Sequence, residues 1–208
     1  MNKLINKTTA TCSGLLATVI SGSTQAHHPM DGQIPSTMFE GLISGIAHPV
    51  IGLDHLLFIA SIGLLAVLSG ASLIRLVAGF TISSLSGLLL HVNAIDLPSV
   101  ELIVAVSVVI AGLVIVKQFS GQVVVGIFIA AAGLFHGFAY GEAIYDAPIG
   151  SIAAYSIGIG FIQCSIAILV FKLTQVILAR SRVSSKHLRL SAGSGIALFG
   201  AFLLSNSI

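Results

Sequence analysis

The chain has 208 residues, of which 56% are hydrophobic and only 8% are charged. A soluble globular protein carries about 25% charged residues, so this composition excludes a water-soluble fold. The nine basic and seven acidic residues form no long run that would indicate a nucleic-acid surface, and two cysteines give no disulfide framework. A membrane-spanning helix needs about 20 apolar residues. We therefore expect an all-α integral membrane protein.

The N-terminus has the pattern of a secretory signal peptide. Lys3 and Lys7 form a basic start, a modest apolar stretch follows, and Ala26 ends a small-residue cleavage pattern. We expect residues 1–26 to be a signal peptide and residues 27–208 to form a single polytopic membrane domain. An uncleaved amphipathic leader is the alternative.

Seven apolar stretches follow the leader, and six of them are long enough to cross a membrane. The exception is 38–47, where Thr37 and Glu40 match a capping box and His48 is disfavoured in a helix because Pro49 follows it. This half-helix would cover about 15 Å, half of the hydrocarbon layer. The six predicted transmembrane helices lie at residues 53–70, 72–91, 99–117, 122–140, 150–173 and 189–206.

The basic residues indicate the orientation of these spans. Outside the leader they fall in alternate loops, as Arg75, Lys117, Lys172, Arg180, Arg182, Lys186 and Arg189. Short loops rich in Lys and Arg face the cytoplasm, and the seven acids fall on the opposite side or in the outer half of a span. We expect a multi-pass protein of a bacterial inner membrane whose mature termini both face the periplasm.

The densest cluster of polar residues is the segment His48-Pro-Val-Ile-Gly-Leu-Asp54-His55. On an unbroken helix the two histidines would stand about 10.5 Å apart along the axis, too far to bind one ion comfortably. Pro49 removes a backbone donor and Gly52 supplies a flexible position, so the segment is expected to fold back and bring His48 beside Asp54 and His55. The alternative is a proline hinge whose polar groups, Asp54 among them, only cap helix ends.

A second polar cluster lies in and just after the fourth predicted span, from Gly133 to Glu142. Its glycines recur every four residues and offer a groove for a neighbouring helix, with His136 one residue away. Tyr140, one turn later, is placed to hydrogen-bond the imidazole of His136, and Glu142 is expected at the outer mouth. The alternative is a packing helix with one buried histidine.

Imidazole and carboxylate groups together are typical ligands of divalent nickel, cobalt or zinc. Six of the seven histidines lie on the acidic, outer side. Glu101, at the start of a span, is a further candidate ligand, although a cap of the helix would explain it equally well. The chain contains no phosphate-binding P-loop and no H-E-x-x-H motif, and we expect neither an enzyme nor a resident cofactor.

These motifs resemble those of the HupE/UreJ family of nickel/cobalt permeases. The first cluster is similar to the family's H-P-x-x-G-x-D-H signature, and Phe135-His136-Gly-Phe-Ala-Tyr-Gly-Glu142 is similar to its later F-H-G-x-A-x-G-x-E pattern, with one residue fewer before the glutamate. The resemblance implies uptake of Ni²⁺ or Co²⁺ and assigns metal handling to five residues, with Glu101 and Phe80 as secondary candidates. The five are His48, Asp54, His55, His136 and Glu142.

Two other classes of protein fit the same residues. One is a membrane metalloenzyme in which the His and Asp groups hold a catalytic metal. The other is a haem-binding electron carrier with two axial imidazoles. The expected partners are a divalent metal ion and the lipid bilayer, with no nucleic acid, and the sequence does not indicate an oligomeric state.

Overall fold

The computed structural model describes residues 33–119, 121–181 and 183–206, and these form seven α-helices and no strand. The expected signal peptide and its boundary after Ala26 lie outside the described residues. The helices are α1 (Met38–Ile51), α2 (Leu53–Leu68), α3 (Leu73–Val92), α4 (Val100–Lys117), α5 (Gln122–Glu142), α6 (Ile149–Arg180) and α7 (Ser185–Asn206).

Five helices, α3 to α7, are long and apolar enough to cross a membrane, and the pair α1 and α2 makes a sixth candidate if it counts as one broken span. The two helices of this pair meet at an angle of 78°. The expectation of an all-α membrane protein is thus confirmed. The predicted span 53–70 is realised as α2, whose 16 residues reach the length of a span only together with α1.

The short first helix begins as predicted but ends later. The side chain of Thr37 accepts the amide of Glu40, whose carboxylate in turn accepts the amide of Thr37, so the capping box is confirmed. The prediction that the helix stops before His48 was wrong, because α1 continues through Pro49 to Ile51 and has 14 residues. Proline removes a single backbone donor, and the next turn still closes with a 2.9 Å bond from Gly52 N–H to the His48 carbonyl.

Helix α1 lies against the beginning of α6 and runs parallel to it. Gly41 faces the backbone of Ser151, and one turn later Gly45 faces the backbone of Tyr155. The Ser151 hydroxyl also lies 2.9 Å from the Pro35 carbonyl, to which it donates. These glycines let the two backbones approach closely, which places the end of α1 inside the helical bundle.

Helices α3 and α5 pack through a second glycine contact. A Cβ atom added at Gly137 would overlap the carbonyl of Ser84, and one added at Gly87 would overlap the carbonyl of Leu134. The predicted groove on α5 is therefore occupied by the backbone of α3. This contact fixes the position of His136, which precedes Gly137 in the chain.

Candidate functional site

The first polar cluster lies at a true break in the backbone. Gly52 has φ −71° and ψ 102°, an extended conformation between the ends of α1 and α2. The break brings the ring centroids of His48 and His55 to 5.6 Å, which confirms the predicted fold-back. Because its φ is negative, Gly52 is needed for space: an added Cβ atom would lie 2.7 Å from Cδ2 of His55 and 3.1 Å from Oδ1 of Asp54.

The second polar cluster meets the first directly. Nδ1 of His136 on α5 lies 2.8 Å from Nδ1 of His55 on α2, within hydrogen-bonding distance. The other ring nitrogen of His136, Nε2, is hydrogen-bonded to the Ser107 hydroxyl on α4 at 2.9 Å. His136 is fully buried, and His55 and Ser107 are nearly so. Three helices thus contribute to one buried chain of hydrogen bonds.

His48 is hydrogen-bonded to a residue of another helix, α6. Its Nδ1 lies 2.8 Å from the hydroxyl of Tyr155 on α6, and that hydroxyl also donates to the Tyr140 carbonyl at 2.9 Å. His48 is 6% exposed and Tyr155 is completely buried. The close contact between α1 and α6 therefore carries a polar bond as well as glycine packing.

Asp54 stands at the start of α2, next to both histidines of the first motif. Its Oδ1 accepts the backbone amide of His55 at 2.8 Å and lies 3.9 Å from Nε2 of the same residue. The side chain is 25% exposed, more than either of its neighbours His48 and His55. The carboxylate stabilises the first turn of α2 from within the helix, whereas the N-cap itself is Gly52.

Aromatic rings surround the imidazoles. Phe58 lies 4.5 Å from His136 between ring centroids, and Phe80 packs against both at 5.4 Å and 5.9 Å. Tyr140 lies over His55 at 4.3 Å and edge-on to His48 at 5.2 Å. The prediction that Tyr140 hydrogen-bonds His136 was wrong. The ring nitrogens of His136 bond Ser107 and His55, and the ring of Tyr140 contacts the other two imidazoles.

The two predicted glutamates lie at helix ends. Glu142 is exposed at the last residue of α5, where the preceding Gly141 packs against His91 of α3. Glu101 is exposed in the first turn of α4. Neither is a hydrogen-bond partner of His136, whose ring nitrogens bond His55 and Ser107. The structure therefore brings together His48, Asp54, His55 and His136 but leaves both glutamates at the surface.

Within the described part of the chain, no three His, Cys, Asp or Glu side chains are arranged to hold one metal ion. The contact between the two Nδ1 atoms gives a physical reason. A hydrogen bond between two imidazoles places the N–H of one on the lone pair of the other, so that lone pair is not available to a metal. Ligation by both rings requires this bond to open.

Sequence reasoning missed Ser107, Tyr155 and Ser84 as parts of the polar core. The Ser84 hydroxyl donates to Oε1 of Gln163 at 3.1 Å, and Gln163 is almost completely buried. The only available signal was a polar residue in an apolar span, which serines share throughout this chain. Such a signal does not say which serine faces the interior.

Comparison with known proteins agrees with the motifs. The family model of HupE / UreJ protein matches residues 15–203. The Protein HupE of Rhizobium leguminosarum bv. viciae is 29% identical over 167 residues, which cover 79% of this chain and 85% of that relative. No solved structure matches. The chain belongs to the HupE/UreJ family.

Proposed function

We propose that this member of the HupE/UreJ family carries a divalent transition-metal ion, Ni²⁺ or Co²⁺, across the membrane through the site at His48, Asp54, His55 and His136. The observation that supports this most strongly is the meeting of three buried imidazoles from two distant motifs at a break in a candidate membrane span. Membership of a family generally associated with nickel and cobalt transport supports the same function.

The chemistry of the side chains favours borderline metals. Neutral imidazole and carboxylate bind divalent nickel and cobalt well, whereas copper(I) prefers thiolate and thioether ligands. Ionisable groups within a membrane span are costly and usually mark a transport path or a binding site. A cluster that served packing alone would be cheaper to build from apolar side chains.

Transport is proposed to proceed in three steps. The exposed carboxylates of Glu101 and Glu142 attract the cation at the outer surface. The ion then loses water to the buried ligands, which requires the His55–His136 hydrogen bond to open. Release follows when the packing around Gly52 changes and the same ligands face the cytoplasm, as in transporters whose broken helices carry the site.

The proposed cellular context follows from the charges of the loops. We propose a bacterial inner-membrane location with both mature termini in the periplasm and an N-terminal leader that is removed. The metal is the cargo, so no resident cofactor is part of the proposal.

Uptake of radioactive nickel and cobalt into proteoliposomes tests this function. The parent protein is expected to load both ions, and His48→Ala, Asp54→Asn and His136→Ala are expected to lose most of that uptake. The matched control is His187→Ala, because His187 is exposed in the first turn of α7 and is not one of the site histidines. Competition with zinc would rank the metals.

Three outcomes would contradict the proposal: no uptake by a correctly folded parent, equal uptake by the parent and the three site variants, or metal-dependent turnover of a substrate without ion movement. The last outcome would favour a membrane enzyme. A visible haem spectrum in the purified protein would favour an electron carrier.

A further inference from the structure

The hydrogen bonds around the three imidazoles determine which ring nitrogen carries the proton in each. Ser107 provides the starting point. Its hydroxyl lies 2.7 Å from the Val104 carbonyl and 2.9 Å from Nε2 of His136. A carbonyl oxygen only accepts, and a hydroxyl has one proton, so Ser107 donates to Val104 and accepts from His136. His136 must then carry its proton on Nε2.

The proton of His55 follows from that of His136. With Nε2 protonated, neutral His136 has its lone pair on Nδ1, 2.8 Å from Nδ1 of His55. His55 therefore donates from Nδ1, and in the neutral ring the lone pair is on Nε2, the nitrogen that lies 3.9 Å from Asp54 Oδ1. Each link of this chain has one donor and one acceptor.

The position of the proton on His48 follows in the same way from the hydrogen bonds of Tyr155. The phenol donates its single proton to the Tyr140 carbonyl at 2.9 Å. Its oxygen must then accept from Nδ1 of His48 at 2.8 Å, because the reverse would leave two oxygens facing each other without a proton. In neutral His48 the lone pair is therefore on Nε2.

We propose that Ser107 and Tyr155 are positioning residues that hold these tautomers, so that the cargo metal binds Nε2 of His48, Nε2 of His55 and Nδ1 of His136. The assignment rests on the proposed function for the identity of the metal, but the tautomers themselves do not. Groups that bond the second nitrogen of a metal-binding imidazole fix the ring and raise its basicity, and their loss typically weakens metal binding about 10–100-fold.

The first test measures the tautomers directly, without metal. The full-length protein, with ¹⁵N-labelled histidine, is placed in lipid nanodiscs, and its imidazole ¹⁵N shifts are assigned with His48→Gln and His136→Gln variants. We expect protonation on Nδ1 of His48 and His55 and on Nε2 of His136. Any other tautomer, or a mixture at His48 or His136, would overturn the proposal.

The second test measures the Kd for Ni²⁺ by calorimetry, together with thermal unfolding. Ser107→Ala and Tyr155→Phe are expected to weaken nickel binding by about 10–100-fold. Ser107→Thr, which keeps the hydroxyl, is expected to bind nickel about as tightly as the parent. Ser61→Ala is the matched control, because Ser61 is equally buried and makes the same type of bond, to the Phe58 carbonyl at 2.6 Å.

The role of Ser107 is merely structural, and the proposal wrong, in either of two cases. One is that Ser61→Ala weakens nickel binding as much as Ser107→Ala, and the other is that Ser107→Thr binds nickel as weakly as Ser107→Ala. Tyr145→Phe controls for loss of a phenol elsewhere, because Tyr145 is 39% exposed and follows the end of α5. A parent protein that shows the expected tautomers but binds neither nickel nor cobalt would refute the proposed function and leave the tautomer assignment intact.

Discussion

The two polar motifs bring histidine to the same place by opposite means. The first does so by interrupting a helix: at Gly52 the backbone leaves the helical conformation, and residues seven positions apart come together. The second keeps its helix intact and instead uses small residues, so that α3 and α5 approach until Gly137 touches the backbone of Ser84. A break thus gathers ligands from one segment, whereas close packing delivers a ligand from another.

The largest effect is expected when the groove of α5 is filled. Gly137→Ala would drive a methyl group into the Ser84 carbonyl, which cannot rotate away, and overpacking of this kind costs about 1–3 kcal/mol or more. We expect loss of uptake and a lower unfolding temperature. Gly126→Ala is the control on the same helix, since nothing lies within 4 Å of its added Cβ atom.

The control should leave uptake and folding close to those of the parent. Equal behaviour of the two variants would show that the α3–α5 contact does not position His136.

The corresponding change at the break is Gly52→Ala. The backbone conformation of Gly52 suits any residue, but the methyl group would displace the His55 ring, which lies 2.7 Å from the Cβ position. We expect nickel uptake to fall about 10-fold or more, the scale seen when a ligand's orientation is disturbed. The free energy of unfolding should change less than in Gly137→Ala, because a side chain can shift where a backbone carbonyl cannot.

Gly79→Ala serves as the control for this variant, because its added Cβ atom meets nothing within 4 Å. The ratio of uptake loss to destabilisation separates the two motifs: it should be high at Gly52 and low at Gly137. A Gly52→Ala protein with full uptake would contradict the proposed role of the break.

A smaller effect is expected at Glu101 and Glu142, whose carboxylates are exposed at helix ends. The double variant Glu101→Gln, Glu142→Gln should reduce uptake on the order of 2- to 10-fold at limiting nickel, because long-range attraction of the cation is lost. The deficit should shrink at high ionic strength, where exposed charges are screened beyond about 3–10 Å. Initial rates at two salt concentrations measure it, and a deficit independent of salt would instead indicate direct ligation.

The smallest effect is expected for Pro49→Ala. Helix α1 passes through Pro49 and ends at Ile51, so the missing backbone donor does not create the break. Uptake should change by less than about twofold. A much larger loss in the same proteoliposome assay would show that proline, and not Gly52, keeps the segment bent.

Much of this architecture could be predicted from the sequence because membrane spans are long and apolar. The capping box at Thr37 and the fold-back between His48 and His55 depend on local chemistry, and both were visible in the residue pattern. The exact place of the break was not, since either Pro49 or Gly52 could end a helix, and α1 in fact continues through Pro49 to Ile51.

The partners of the imidazoles could not be predicted for a different reason. Ser107 and Tyr155 lie in helices that are apolar on every side, so periodicity gives no inward face. Which serine or tyrosine meets a histidine depends on how the spans are arranged around one another. Tyr140 was assigned to His136 from spacing along one helix, and the neighbouring α4 supplied Ser107 instead.

Nickel K-edge X-ray absorption of the purified, nickel-loaded protein shows directly whether the imidazoles bind the metal. We predict imidazole scattering around the metal, which decreases in His48→Ala, His55→Ala and His136→Ala but not in His187→Ala. Coordination by oxygen alone, unchanged by any of the three site substitutions, would contradict it.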